Sequence, residues 1–372
     1  MADFFDYLDW RGDIPFNQVP FNKIDALLLA HVTYSIFDGV VSEAFDKPKT
    51  FAQVAKDFSS SPDYEERINI GFLINKRTAE LMFKCAESER FKNVRLCGFS
   101  NIYDEEKVEQ FAAVTYLIED KVIVALRGTD DTIVGWKEDF NIAWQPQIPA
   151  QKDALEYFEK AASAFKGDLI LTGHSKGGNL VINTAVLCGE KLQNRIKAVY
   201  NFDGPGFSKE FFKKAEYKAM EDRIFSFYPS FSVVGMIFHH PKNFEIVMSD
   251  GFAFWQHDAM KWQIIGGNFL NAGSFTDESR LFYKAFNEWV DKLNTEQKKN
   301  FVETMFCILE ASGAKTNSDI EKDPIKASAK MLAAFAEMDK KRRKELKKII
   351  SMFKDVINDD IPMLKPFALI KK

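Results

Sequence analysis

The sequence predicts an α/β protein, a mostly parallel central sheet flanked by helices, with a helical layer ahead of the sheet and a helical region behind it. Three observations predict it. Strand-type apolar runs alternate with helix-period segments between about residues 93 and 275. Residues 1–92 and 276–372 read as helical, which divides the chain into 1–92, 93–275 and 276–372. The stretch Leu169–Ile182 reads as strand, tight turn and helix around Gly173-His174-Ser175-Lys176-Gly177.

Taken in order, Pro20 to Ala30 carries a turn signal and then an apolar stripe, Thr50–Phe58 is short and mixed, and Glu66–Ser88 keeps helical spacing. The period changes near residue 93. Val94, Leu96, Ala112, Val114, Tyr116 and Ile118 alternate with smaller or more polar neighbours, as antiparallel strands do, and Lys121–Leu126 is a nearly continuous apolar strand. A loop Arg127-Gly128-Thr129-Asp130 and a helix from about Ala150 to Phe165 precede the turn at Ser175. Strand Ala198–Phe202, helix Phe212–Glu221, strand Arg223–Tyr228, an apolar loop Phe231–Phe238 and strand Phe244–Met248 follow it. From Asp277 onward the pattern is helical, with a capping box at Asn294 and Gln297, a stop at Gly313 and a further long helix from near Lys326.

Composition bounds the function. A chain of 372 residues with 46% hydrophobic content can bury a large core. Its net charge of −4 predicts no dominant nucleic-acid footprint. The balance is uneven: residues 326–372 carry 13 basic and 6 acidic side chains, leaving −11 for residues 1–325. The densest run, 340–348, reads as the solvated face of a surface helix, with weak contact to an anionic surface as the functional alternative. Cys85, Cys97, Cys188 and Cys307 show no C-x-x-C spacing, so neither a zinc site nor a disulfide framework is expected. The first residues are acidic where a secretory signal is basic, and no apolar run is long enough to cross a membrane, so the expected location is cytoplasmic.

The turn at Ser175 has the chemistry of a nucleophile elbow. Gly173 and Gly177 remove side chains that would collide in a sharp strand-to-helix turn, leaving Ser175 exposed above the sheet. The following helix directs free backbone N–H groups toward it, and that of Lys176 is the first oxyanion donor. A serine nucleophile needs a base and an orienting acid. Of the five histidines, His174 should point into packing and His31 lies in the leading helical layer. His239-His240-Pro241 reads as a turn, which leaves His257 as the base. For the acid, Asp203 ends the strand after the elbow and is held by Gly204-Pro205-Gly206; Asp250 is the second choice. Thr129, through its backbone N–H and hydroxyl, is the second oxyanion donor, with Arg127 structural and Trp136 and Asp139 pinning the loop. The apolar loop suggests Phe231, Val234, Met236 and Phe238 as an acyl-chain wall or lid, against the plainer reading of buried core. Neither a metal nor an organic cofactor is required.

The segments Val124–Thr129, Trp136 with Asp139, and Gly173–Gly178 resemble the F-R-G-[ST] loop and G-H-S-x-G-G elbow of class 3 lipases. More closely, Tyr7–Asp13, Asp203–Phe207 and His257–Trp262 resemble a bacterial family of lipase-like α/β-hydrolases long catalogued as a domain of unknown function. The resemblance implies an α/β-hydrolase fold and a serine-hydrolase site with Ser175 as nucleophile, His257 as base and Thr129 in the oxyanion loop. Class 3 lipases take their acid from the strand end that here reads Pro229-Ser230-Phe231-Ser232, so the acid either moves to Asp203 or is missing. Lys176 stands where an apolar residue is usual; it reads as a solvent-facing first-turn lysine or as a contact for an anionic substrate group. The expected activity is cleavage of a carboxylic ester or lipid through an acyl-enzyme. The competing readings are a catalytically silent scaffold and an acyltransferase using the same serine.

Overall fold

In the computed structural model, which describes residues 2–71 and 74–360, eight strands form one sheet in sequence order. They are β1 Lys49–Thr50, β2 Arg95–Asp104, β3 Glu109–Ile118, β4 Lys121–Leu126, β5 Asp168–His174, β6 Ile196–Phe202, β7 Ile224–Pro229 and β8 Phe244–Val247. The first three pairings are antiparallel and the remaining four parallel. Connection length explains the change. Two residues, Glu119 and Asp120, join β3 to β4, whereas β4 to β5 and β5 to β6 cross over through helices Pro149–Ala164 and Lys176–Leu187. The chain has the α/β-hydrolase fold that its sequence predicts.

The strands read as continuous apolar runs because both faces of the sheet are covered. Val114, Tyr116, Ile123 and Ala125 point into a core shared with the N-terminal helices. Their neighbours Ala113, Leu117, Val122 and Val124 point into the opposite core, closed by helices Pro149–Ala164 and Lys176–Leu187. Alternate residues therefore serve two different layers.

The N-terminal layer consists of helices Phe4–Arg11, Lys23–Val32, Phe51–Ser59 and Thr78–Glu87, with one turn at Tyr64–Arg67. The expected helix over Glu66–Ser88 is interrupted. Gly71 adopts φ +102°, a conformation that other residues rarely take, and Asn75 accepts a hydrogen bond from the Arg77 N–H where the helix restarts. The Phe212–Glu221 helix is likewise broken, into a 3₁₀ turn at Phe211–Lys213 and a helix at Ala215–Met220.

One buried ion pair ties this layer together. The Arg90 guanidinium donates to both Asp25 carboxylate oxygens, at 2.8 and 2.6 Å, and through Nη1 to the carbonyls of Ile14 and Val19. Tyr7 donates its hydroxyl to the same carboxylate, and both charged side chains are wholly buried.

Behind the sheet lie helices Asp277–Lys292, Thr295–Glu310, Asn317–Lys322, Pro324–Glu337 and Lys340–Asp360, while residues 361–372 of the expected helical region fall outside the described residues. The Asn294–Gln297 capping box forms, and Gly313, at φ +80°, follows the end of its helix at Glu310. Trp289, Val290 and Leu293 pack against Ile349 and Val356. Val302 and Phe306 pack on Ile133 of helix Ile133–Asn141, so these helices touch the segment just after β4. Among the described residues no helix is long and apolar enough to cross a membrane.

Removing one partner of the buried pair should cost far more than a surface substitution. Arg90→Leu leaves Asp25 charged and unpaired, and the expected loss of unfolding free energy is about 3–5 kcal/mol, measured by urea denaturation. A loss below about 1 kcal/mol would mean that the pair does not organise the layer.

Candidate active site

The elbow adopts the strained geometry that its sequence suggests. Ser175 has φ 58° and ψ −132°, between β5 and helix Lys176–Leu187. Such a conformation costs on the order of 1–3 kcal/mol and persists only where neighbours over-determine it. The Ser175 N–H donates to the Phe202 carbonyl at 2.9 Å, and its carbonyl accepts from the Gly178 N–H at 2.8 Å. A Cβ on Gly177 would lie 2.1 Å from the Leu126 carbonyl oxygen, and one on Gly128 would lie 2.5 Å from that of His174 and 3.0 Å from the Ser175 Cβ. The loop after β4 therefore passes directly against the serine. This contact is open only to glycine.

Asp203 and His257 come together. Asp203 ends β6 at φ 49°, fully buried, and its Oδ2 lies 2.6 Å from His257 Nδ1. The other oxygen, Oδ1, accepts from the Ser232 hydroxyl at 2.6 Å and the Gly235 N–H at 3.2 Å. The strand end that class 3 lipases use for their acid thus supplies Ser232, which buttresses Asp203 instead. The second-choice acid, Asp250, is engaged elsewhere, accepting from Gln263 Nε2 at 2.6 Å. His239 bonds to the Tyr283 hydroxyl and His240 to the Pro241 carbonyl, and in place of the expected turn His239 forms an antiparallel bridge with Phe207.

His174 packs beside the base. Its Nε2 lies 2.9 Å from the His257 carbonyl oxygen and its Nδ1 3.2 Å from the Tyr34 hydroxyl. A carbonyl only accepts, so the His174 proton is on Nε2 and the Tyr34 hydroxyl donates to Nδ1. Burial, with further help from nearby His257 and His31, pushes the His174 pKa well below the usual histidine value, so the ring is neutral. It anchors the backbone of His257 without competing for its charge.

Ser175 and His257 border one cavity of about 480 Å³, a size suited to a single small-molecule ligand. Thr129, Trp136, Asp139 and Lys176 line it on the side of the loop after β4. Two sequence expectations change here. The Lys176 side chain is neither solvent-facing nor free for a substrate anion. Its Nζ is fully buried and donates to Glu138 at 2.8 Å and to the Gln110 carbonyl and side chain at 2.7 and 3.0 Å. A buried ammonium needs such partners, and helix Ile133–Asn141 supplies the charge. The Thr129 hydroxyl is also engaged, donating to Asp139, so only its backbone N–H remains to serve as a donor. Arg127 bonds Asn101 and Asp130, a structural role.

Val234 and Phe238 of the apolar loop line the cavity, but Phe231 and Met236 do not. The Phe231 backbone is held by Gln256, and Met236 is buried with its carbonyl accepting from Asn287. Instead, the wall comes from the C-terminal helices: Phe282, Phe286, Trp289 and Leu293 on one, Val302 on the next, and Ile350 and Phe353 on helix Lys340–Asp360. Spacings of four, three and four on the first of these are the available signal, since they put one apolar stripe on one helix face. His31 is the other unforeseen member. Its Nε2 lies 3.0 Å from the Thr78 hydroxyl, and burial lowers its pKa to about 4 despite the nearby Asp258 carboxylate.

The Mbeg1-like family model matches residues 85–307, a span that includes the loop after β4, the elbow, Asp203 and His257. No curated protein matches the chain. Among solved structures, M37 lipase is similar at 14% identity over 58% of this chain and 70% of that one, with a TM-score of 0.38. A triacylglycerol lipase from Penicillium expansum gives 12% identity over 46% and 73%, with a TM-score of 0.32. Rhizomucor miehei lipase in its propeptide complex gives 16% identity over 41% and 57%, with a TM-score of 0.27.

Asp139 provides a pH test of this corner. Burial, opposed by the Lys176 charge and the Thr129 hydrogen bond, raises its pKa from 3.8 to about 6. An acid whose folded pKa is raised holds its proton more tightly in the folded state, so its contribution to stability falls as pH rises from about 4 to 6. An asparagine side chain at this position would keep an acceptor for Thr129. Asp139→Asn is therefore expected to be more stable than the parent at pH 8, by about 1–3 kcal/mol, with the difference vanishing near pH 4 in paired denaturation curves. Equal destabilisation at both pH values would contradict the assignment.

Proposed function

We propose that this chain, which belongs to the Mbeg1-like family, is a serine hydrolase that cleaves carboxylic esters with an apolar acyl chain. The observation that carries the reading is the 2.6 Å Asp203–His257 pair beside a strained Ser175 on the same cavity. Nucleophile, base and acid come from the ends of three separate elements, in the chain order serine, acid, histidine.

The chemistry follows from the donors and acceptors in place. With the His257 Nδ1–H donating to Asp203, Nε2 is left as the base. It takes the Ser175 hydroxyl proton as Oγ attacks the ester carbonyl carbon, and Asp203 stabilises the imidazolium that forms. The oxyanion is held by the backbone N–H groups of Lys176 and Thr129. First-turn N–H groups such as that of Lys176 have no acceptor within the helix. Collapse of the intermediate transfers the proton from His257 to the leaving alcohol and leaves an acyl group on Ser175. Water, deprotonated by His257, attacks that acyl group and releases the acid. The aromatic and aliphatic walls contributed by Val234, Phe238, Phe286 and Trp289 favour an apolar acyl chain over a charged one. The buried charge pair of Lys176 and Glu138 acts from below, tying the elbow helix to helix Ile133–Asn141, which follows the oxyanion loop.

Intact mass after incubation with a fluorophosphonate tests the site. The parent protein is expected to gain a single adduct, Ser175→Ala none, and His257→Ala to react at least about a thousandfold more slowly. Asp203→Asn should lower kcat on a p-nitrophenyl ester about 10²- to 10⁴-fold, by removing the acceptor that sets the His257 tautomer. A folded parent that takes up no adduct and hydrolyses no ester of any chain length would refute the proposal.

A further inference from the structure

The turn that delivers His257 also projects aromatic side chains into solvent. Within Gly251–His257, Phe252 is 86% exposed, Trp255 39% and Phe254 36%. The turn is tightly built. Ala253 takes φ +48°, the Trp255 N–H donates to the Phe252 carbonyl, and a Cβ on Gly251 would lie 2.4 Å from the Trp255 carbonyl oxygen. Such an arrangement holds Phe252 outward by its backbone, although water is a poor medium for that ring. Phe254 and Trp255 are both part-exposed and line the cavity, so they stand at its rim.

Ile350 is another part-exposed apolar residue of this cavity. It lines the same cavity and is 41% exposed, on helix Lys340–Asp360. Residues three, four, seven and ten positions away lie on one side of a helix. Lys347, Lys354 and Lys340 occupy such positions relative to Ile350 and are exposed. Asp355, the exposed acid nearby, is five positions away and falls off this stripe. Lys261 adds a cation beside the aromatic turn, 5.4 Å from the Trp255 ring centre.

We propose that this rim docks on an anionic lipid bilayer, with Phe252, Phe254 and Trp255 entering the interface and the Lys340, Lys347 and Lys354 stripe seated on acidic headgroups. Exposed aromatic rings and a cationic helix face are the two complementary halves of such a surface. A nucleic acid would satisfy the lysines but give Phe252 no apolar medium. Docking in this orientation sets the cavity mouth against the membrane, so the ester enters from the lipid phase. That last step rests on the proposed hydrolase reading; the docking itself does not.

Flotation with lipid vesicles separates the two. Ser175→Ala protein, unable to turn over substrate, is expected to float with vesicles of phosphatidylcholine and phosphatidylglycerol, and weakly with phosphatidylcholine alone. Salt should release it. Phe252→Ser should weaken the partitioning about tenfold or more. The triple change Lys340→Glu, Lys347→Glu and Lys354→Glu should weaken it at least about a hundredfold on the anionic vesicles only. Neither Phe252 nor any of these lysines lines the cavity, so in the Ser175 background both variants should keep the parent rate on a short water-soluble ester within about twofold. Absence of flotation, equal flotation on both vesicle types, parent-like flotation of either variant, or retention on duplex RNA in place of vesicles would overturn the proposal. A hydrolase inactive on all esters that still floats as described would refute the enzymatic reading and leave the docking surface standing.

Discussion

The structure depends on the contact between the loop after β4 and the elbow. Gly128 lies against the His174 carbonyl and the Ser175 Cβ, at distances that leave no room for a side chain. Because that loop comes from a neighbouring parallel strand, its position is fixed by the β4–β5 register, in which Leu126 faces Gly173. The strain at Ser175 is thus supported by the sheet. It is spread over β4, β5 and β6 through the glycine contacts and the hydrogen bond to the Phe202 carbonyl. A strained residue held by three strands resists relaxation better than one held by its own loop.

Beneath this contact runs a second restraint, made of charge. Lys176 follows Ser175 and sends its ammonium inward to Glu138, which also accepts from the backbone N–H groups of Gln110 and Ala150. One carboxylate therefore connects β3, the elbow helix and the start of the helix leading to β5. A wholly buried ion pair of this kind contributes little net stability compared with apolar packing, but breaking it strands a charge. Its consequence is positional: the start of the elbow helix and helix Ile133–Asn141 keep a fixed separation.

The local features are legible in the sequence because short-range chemistry dictates them. The glycine spacing around Ser175, the rigid turn after Asp203 and the capping box at Asn294 each say what the backbone does within a few residues. The choice of His257 over His239 and His240 follows from order along the chain and from elimination, and the pairing with Asp203 agrees with it. What is not legible depends on partners far away in sequence. Lys176 reads as solvent-exposed because a lysine in a first turn usually is, and the glutamate that buries it lies 38 positions earlier. His31 and His174 belong to different layers of the sequence, yet their rings lie 6.4 Å apart. The split of the apolar loop, with Val234 and Phe238 facing the cavity and Met236 facing the core, depends on which helix packs behind it. The break at Gly71 needs its backbone angle, which composition does not give.

The same reasoning explains why the helical regions before and after the sheet are not accessories to the site. His31 and Tyr34 approach the cavity from the N-terminal layer, and helices Asp277–Lys292 and Lys340–Asp360 close it from the opposite end of the chain. Each supplies what the sheet cannot. Parallel strands present only their ends to the cavity, which suffices to place Ser175 and Asp203 but leaves its far side open to water. An apolar wall must come from elements that lie across those ends, and a helix with an apolar stripe is the simplest such element. Burial beside this cavity also keeps His174 and His31 neutral. Enclosure of the cavity and the neutrality of these two histidines are therefore both consequences of burial.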